Sequence, residues 1–372
     1  MRIAHVSDFC LPRLGGIEIH VAGLAEHQRR AGHVVDVLTA LEGDGAPFGR
    51  LRPSVVREVN DAVLGGGYDQ VHCHAGLFTP IAFRGAAAAS RAGIPTLVTV
   101  HSLLDGAHAP LRSLDLATRW TRLPIAWTAV SGRAAGPLQR LLGPATPVRV
   151  LPNAVDTEAW QVTPVRRDPG HVVIVAVNRL AVRKRPLPLL RALRRARAEV
   201  PADIRMTAVV VGDGPQRAAL ERAVDRAGMR DWVHLTGRLP HRSIRTLYRR
   251  ADVFVAPARL ESFGIAALEA RAAGLPVIGM GHAGVGTFIS HGREGLLVDD
   301  DRELAAAIAQ ITIDATTREG IATYNREHPP AFGWADAIAG TEREYARATA
   351  IQRVTSQPVA TIDRLTRAGA RA

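Results

Sequence analysis

Short apolar runs alternate with longer segments of helical periodicity from the first residues onward. "RIAHVS" leads into a glycine-containing loop, "LPRLGG", then the helical stretch "IEIHVAGLAEHQRRAG", which stops at Gly32, and a second apolar run, "VVDVLT". Further strands are predicted at "QVHCH", "TLVTVH" and "WTAVS", separated by helical or loop segments such as Thr79–Ala92. The pattern restarts at "HVVIVAVNRL" and continues through "PLPLLRALRRARAEV", "MTAVVVGDG", "QRAALERAVDRAG", "VHLTG", "SIRTLYRRA" and "DVFVAPA". Apolar strands alternating with helices of roughly ten or more residues predict α/β architecture: two doubly wound parallel-sheet domains. The Pro- and turn-rich stretch "PVRVLPNAVDTEAWQVTPVRRDPG" is the expected linker. It suggests an N-terminal domain over 1–160, a second over 161–345, and a tail over 346–372 holding five basic residues and one acidic. Ligands of open α/β sheets lie beyond the carboxyl ends of the strands. Two such sheets facing each other would place the site in the cleft between them.

Length and composition agree with this plan. The 372 residues fit two domains of about 150–190 residues each, and 47% hydrophobic content can build their cores. Two cysteines, Cys10 and Cys73, cannot make a disulfide framework, so a reducing, cytoplasmic compartment is expected. Asp8 interrupts the N-terminal apolar run, which is no secretory segment, and nothing approaches the ~18 apolar residues of a membrane span. A soluble or membrane-peripheral protein is expected. The net charge of +12 suits phosphates, nucleic acid or anionic lipid. Low aromatic content (5%) and the lack of a recognised motif argue against nucleic acid. One bias stands out: the 47 Lys+Arg comprise 46 arginines and a single lysine, Lys184, in "NRLAVRKRPLPLL".

Several motifs carry candidate chemistry. In "GGIEIH", Gly15 and Gly16 end a strand–loop and open a helix, where free N–H groups suit an anion; a plain tight βα turn explains the glycines equally well. "VVVGDGPQRAAL" has Gly212 and Gly214 between strand and helix, but Arg217 stands where a dinucleotide fingerprint needs its third glycine. "ESFGIAALE" sets Glu261 and Glu269 eight residues apart, about 12 Å along a helix. That is long for the ~5–9.5 Å of a glycosidase pair and better suited to two hydroxyl-bearing ends of one elongated ligand. His72 and His74 in "HCH" share a strand face; without further ligands nearby in sequence, a metal site is not expected there. "LRSLDLATRWTRLPIAW" mixes Arg112, Arg119 and Arg122 with Trp120, Leu123, Ile125 and Trp127, as a headgroup-layer segment or as a core helix running into a strand.

Taken in order, "GGIEIH", "TVHS", "AVS", "VLPNAVDTEAW", "VNRLAVRKRPLPLL", "VVVGDGPQRAALE", "LTGRLPHRSIRTLYRRADVFVAPARLESFGIAALEARAAGLPVI" and "GREGLLVDD" resemble the retaining glycosyltransferases with two Rossmann-like domains (GT-B fold), in the glycogen-synthase-like and lipid-mannosyltransferase-like branch of family 4 type. The resemblance runs to about Tyr345. Ala154 in "NAVD" and Asn178 in "VNRL" depart from the family's usual glycines and question the local turns.

The resemblance implies that Arg179 and Lys184 hold a donor diphosphate and that Glu269 accepts hydrogen bonds from its ribose. Glu261, with backbone N–H groups of Phe263, Gly264 and Ile265, would orient the hexose and its phosphate. Gly15 and Gly16 would let the first loop approach the phosphates, the base would lie by Gly237, Arg238 and Leu239, and His101 would contact the transferred sugar or position the acceptor. Catalysis would rest on His101, Arg179, Lys184 and Glu261, with no cofactor and no metal, because the cationic side chains supply the charge. The expected partners are a nucleotide-sugar donor and a small-molecule or lipid-linked acceptor, such as a cell-envelope or polysaccharide precursor, with contact to an anionic inner membrane face as a further expectation. Retention implies attack on the face from which the diphosphate leaves. A sugar-nucleotide epimerase and a non-catalytic sugar-nucleotide sensor are the alternatives. Beside Lys184, Arg183 and Arg185 are expected to face solvent.

Overall fold

The computed structural model describes residues 1–8, 15–39, 53–106, 108–165, 168 and 170–356. Cys10, most of the first loop and residues 357–372 of the basic tail lie outside them. The chain divides into two compact units, one of Met1–Pro152 with Trp334–Ala372, the other of Asn153–Gly333.

In the first unit the strands are β1 (Arg2–Ser7), β2 (Val34–Thr39), β3 (Gln70–Ala75), β4 (Thr96–Val100), β5 (Ala126–Ala129) and β6 (Val148–Val150). They pair in parallel in the order β2-β1-β3-β4-β5-β6. Ile3, Val35, Leu97, Ala126 and Leu151 pack with Ala25 of helix Gly16–Arg30 and with Tyr345 and Ala348 of helix Trp334–Ser356. That last helix departs from the domain plan read in the sequence, which ended the second domain at 345. It belongs with the first sheet because its buried residues are spent there: Gln70 donates to Tyr345 O and Thr349 Oγ1, and Arg347 to Trp127 O. Trp334 stacks on His20 and His27. The boundary after the first sheet falls at 152 instead of 160.

The second unit holds β7 (His171–Val177), β8 (Arg205–Val211), β9 (Val233–Gly237), β10 (Val253–Ala256), β11 (Val277–Met280) and β12 (Gly295–Val298). Their order is β12-β11-β10-β7-β8-β9, all parallel. Counted from β7 this is 3-2-1-4-5-6, the doubly wound order whose direction reverses between β7 and β10. Helix Pro186–Glu199 shows why the elements form. Leu189, Leu190, Ala192, Leu193 and Ala196 make its buried stripe while Arg191, Arg194 and Arg195 face out, and Pro186 occupies the first turn, where no N–H is needed.

The Arg/Trp segment resolves in favour of the core. Trp120, Ile125 and Trp127 are buried, the two indoles meeting edge to face at 5.2 Å, so the aromatic anchors of the headgroup-layer reading are inside the first unit. Arg112, Arg119 and Arg122 remain exposed. Among the described residues no helix is long and apolar enough to cross a membrane.

Because Tyr345 is 2% exposed and packs in the first core, Tyr345→Ala should cost about 3–5 kcal/mol. Chemical denaturation reads this; a wild-type midpoint would show the last helix to be an appendage.

Candidate functional site

At the reversal point of the second sheet the loops after β7 and β10 carry most of the residues singled out from the sequence. The β7 loop holds Asn178 to Arg185. It is braced from β8: Leu180 N donates to Asp213 O at 2.9 Å, and Gln216 N to Leu180 O at 2.8 Å. A Cβ on Gly212 (φ +136°) would lie 1.8 Å from Asn178 O, so the glycine turn there serves backbone packing between neighbouring strand ends. Asn178 and Ala154, which depart from the family's glycines, both avoid positive φ; Arg119 and Arg185 are the non-glycine residues that adopt it among those described. The turns therefore accommodate both substitutions.

Val182–Lys184 forms a single 3₁₀ turn, and Arg185 then reverses the chain in the left-handed region (φ 58°, ψ 44°) before Pro186 starts the helix. A side chain held there needs support from its surroundings. Arg185 has it: Nη2 donates to Asp301 Oδ2 at 2.7 Å and Nη1 to Pro257 O at 3.2 Å. The expectation that Arg185 faces solvent is thus corrected; it clamps the β7 loop to the β10 loop and to helix Asp301–Ile313. Arg183 is exposed and reaches Leu260 O at 3.4 Å.

The clamp delivers the one lysine to the β10 loop. Lys184 Nζ lies 2.5 Å from Glu261 Oε2, both side chains part-buried. Arg179 is exposed, and its guanidinium has no partner among the described residues. Beyond Glu261, Phe263 buries its ring against Phe288 and Phe332 and contributes only backbone to the site. Gly264 caps helix Ile265–Ala272 at φ 98°, a conformation that favours glycine. The N–H groups of Phe263, Gly264 and Ile265 donate to nothing among the described residues, which leaves a helix start open to an anion.

Glu269, on the next turn, is 6% exposed, and burial pushes its carboxyl up to about 8. No described group donates a hydrogen bond to it; the ring nitrogen His241 Nε2 is 4.0 Å away, and burial, with Arg245 nearby, lowers that imidazole below its usual value. A buried carboxyl without donors is suited to a ligand that brings hydroxyls. Gly237 ends β9 and accepts from Gly212 N at 2.8 Å, which places the exposed Arg238 and half-buried Leu239 by the same row of strand ends.

In the first unit Gly15 caps helix Gly16–Arg30 in extended conformation. The buried Glu18 carboxylate folds back over it: a Cβ on Gly15 would meet Glu18 Oε2 at 2.3 Å. The chain's own carboxylate thus stands at this helix start. His101 follows β4, 5% exposed, with Nε2 3.0 Å from His74 Nδ1. The sequence reading paired His72 with His74 but missed His5, which the β1–β3 register sets beside His72. Only the strand pairing, not the spacing, brings these rings together. Cys73 is buried, and desolvation raises its thiol.

Two parallel-sheet units in these strand orders have the GT-B architecture, and the second carries a cluster of cations and carboxylates at its reversal point. The chain matches the family described as "Glycosyltransferase Family 4" over residues 14–159 and "Glycosyl transferases group 1" over 162–328. It belongs to this glycosyltransferase family and is a hexosyltransferase. Over 76% of its length it is 30% identical to D-inositol 3-phosphate glycosyltransferase 2 of Catenulispora acidiphila, covering 71% of that protein. It is 25% identical to the phosphatidylinositol N-acetylglucosaminyltransferase gpi3 subunit of Schizosaccharomyces pombe, over 91% of this chain and 79% of that one. Among solved structures, Anabaena HepE in complex with UDP and glucose superposes with TM-score 0.72 at 20% identity, over 93% of this chain and 99% of that one.

Two outcomes test the geometry. Lys184→Arg keeps the charge, but a planar fork needs more room than the tight turn gives beside Glu261, so turnover should fall at least ~10-fold. Arg183→Lys should change turnover little, whereas Arg185→Lys, which cannot bridge Asp301 and Pro257 together, should cost about 1–2 kcal/mol of stability. Parent turnover in Lys184→Arg with an intact fold would remove the lysine's special role.

Glu269 also links stability to pH. The unfolded chain loses this proton near 4.5 and the folded chain near 8, so between those values the unfolded state binds fewer protons and stability falls as pH rises. Glu269→Gln removes the titration, so its denaturation midpoints across the window should decline less than those of the parent. Parallel curves would show that the carboxyl ionises freely.

Proposed function

We propose that the protein transfers a hexosyl group from a nucleoside-diphosphate sugar, with retention of configuration, to a hydroxyl of an inositol-type cyclitol, free or lipid-linked. The observation that carries this is the β7/β10 reversal point: a guanidinium without a partner, an ammonium on a carboxylate, an open helix start and a buried carboxyl without donors. These four match the parts of a nucleotide sugar. Arg179 and Lys184 neutralise the diphosphate, whose charge grows as the glycosidic bond breaks. Lys184 is held meanwhile by Glu261, so the cation is poised before the donor arrives. Glu261 then shares the hexose hydroxyls, the N–H groups of 263–265 take a phosphate oxygen, and Glu269 receives the ribose hydroxyls. Gly237 to Leu239 border the base. Charge stabilisation comes from side chains and backbone, so metal dependence is not part of the reading.

No carboxylate is placed to act as a covalent nucleophile on this reading. The acceptor oxygen attacks the face from which the diphosphate departs, and its proton passes to the leaving phosphate oxygen. His101 is assigned to contact with the transferred sugar or to positioning the acceptor. The cyclitol acceptor is suggested by the names of the two relatives above, and the net charge of +12 favours an acceptor that itself bears phosphate.

Purified protein incubated with UDP-, GDP- and ADP-hexoses and either inositol phosphate or phosphatidylinositol vesicles should form a glycoside with one donor base, undiminished by chelator. Glu269→Ala should weaken binding of the nucleotide itself, and Glu261→Ala should chiefly lower turnover. Equal nucleotide affinity in the two variants would sink this division, and release of free hexose or epimer without transfer would sink the function.

A further inference from the structure

Three cations in a row, Arg183, Lys184 and Arg185, lie against the stretch 257–261, which adds a fourth, Arg259. Charge alone does not say which of them meets Glu261. A guanidinium grips a carboxylate through two parallel N–H groups, whereas an ammonium is a point charge, so Arg185 or Arg259 would be the stronger claimant. Yet Lys184 holds Glu261, and both arginines turn to Asp301.

Asp301 follows β12 in the run Asp299, Asp300, Asp301, and its neighbours already meet the needs of the helix start. Asp300 is the N-cap, its Oδ1 accepting from Arg302 N and Glu303 N, each at 2.8 Å. Glu303 reaches back to accept from Asp299 N at 2.8 Å. Asp301 is left for the two guanidinium groups. Its Oδ2 accepts from Arg185 Nη2 at 2.7 Å, and Arg259 Nη2 stands 3.5 Å from its Oδ1. An acid in a first helical turn favours the helix dipole wherever its side chain points, so the dipole does not explain one oxygen for each arginine. The hydrogen bond from Arg185, with the charges of Arg259 and Arg191, holds the Asp301 carboxyl below its usual range, so it stays ionised.

The backbone gives this contact its reach. Arg185 is the residue after Lys184, and its left-handed φ of 58° reverses the chain there. Fixing its guanidinium on Asp301 and on Pro257 O therefore fixes the turn from which the ammonium reaches Glu261. Arg259 stands only two residues before Glu261 and, released from Asp301, competes for the same carboxylate.

We propose that Asp301 is a positioning residue for the donor: by occupying Arg185 and Arg259 it reserves Glu261 for Lys184 and sets the ammonium where the diphosphate binds. This rests on the reading that Lys184 neutralises that diphosphate. The effect of removing Asp301 has a diagnostic sign. Loss of an acid raises the local positive charge, which by its field alone would tighten the hold on a diphosphate. Loss of positioning weakens it.

Calorimetric titration of the full chain with UDP and UMP, GDP and GMP, and ADP and AMP gives the preference for diphosphate over monophosphate with the base that binds. Asp301→Asn keeps the shape and removes the charge; the preference should fall about tenfold, with monophosphate affinity at the parent value. Arg185→Gly keeps the left-handed turn, which glycine adopts freely, and removes the guanidinium, so it should lower the preference similarly. Because both act through one contact, the double variant should be no worse than the poorer single. If Asp301→Asn fails to fold, Arg185→Gly reads the same point. A preference retained or raised in folded Asp301→Asn would overturn the inference, as would equal losses for both nucleotides or losses that add in the double variant. Lys184→Met separates this inference from the reading beneath it, and should cut the preference at least as far. If it does so while Asp301→Asn keeps the preference, Lys184 holds the diphosphate without help from Asp301. If Lys184→Met leaves the preference intact, the diphosphate reading falls and this inference falls with it.

Discussion

The direction reversal between β7 and β10 is the constraint on which the donor-side site depends. Neighbouring strands whose following helices leave on opposite faces cannot close over their own carboxyl ends, so a crevice remains there. Arg179, Lys184, Glu261 and Glu269 are hung on its two rims. The rims are not independent: Arg185 ties one to Pro257 O and Asp301 of the other side, and Lys184 ties it to Glu261. The left-handed turn at Arg185 is the local cost of bringing the lysine across.

Much of this was legible in the residues and some was not. Strand–helix alternation marked β1 to β5 and β7 to β10, because parallel strands buried on two faces read as continuous apolar runs such as "HVVIVAV" and "VVVG"; the short β6 lay in the stretch read as linker, and the four-residue β11 and β12 were not singled out. The single lysine and the two glutamates pointed to the β7 and β10 loops, since each motif combines a strand end with a helix start. Arg185 was misread because its burial comes from Asp301, over a hundred residues downstream, and spacing cannot report a partner that distant. The last helix was misplaced for a related reason. Its sequence shows helical periodicity but not which sheet receives the buried face; Tyr345 finds Gln28 and His72 only in three dimensions.

The two units also manage buried polarity differently, and the difference follows the chemistry assigned to each. At the donor site the groups are charged and part-exposed. Lys184 and Glu261 satisfy each other in the free protein, an arrangement that a sugar diphosphate can replace when its phosphates take the ammonium and its hydroxyls take the carboxylate. Glu269 is the exception that supports the rule: with no donor on it, burial keeps it neutral. Bringing hydroxyls to that carboxyl favours its ionised form, so a ligand and a proton compete for the same oxygens.

The histidine face of the first unit follows the opposite logic. Its rings are sealed among strands and helices, where an imidazolium would be uncompensated, and burial removes charge from the available states. What remains adjustable is direction, since a neutral imidazole is donor at one nitrogen and acceptor at the other. Each ring in the row from Gln28 through His5 and His74 to His101 therefore constrains the tautomer of the next, and the amide of Gln28, bound at its other end to the hydroxyl of Tyr345, ties that direction to the last helix.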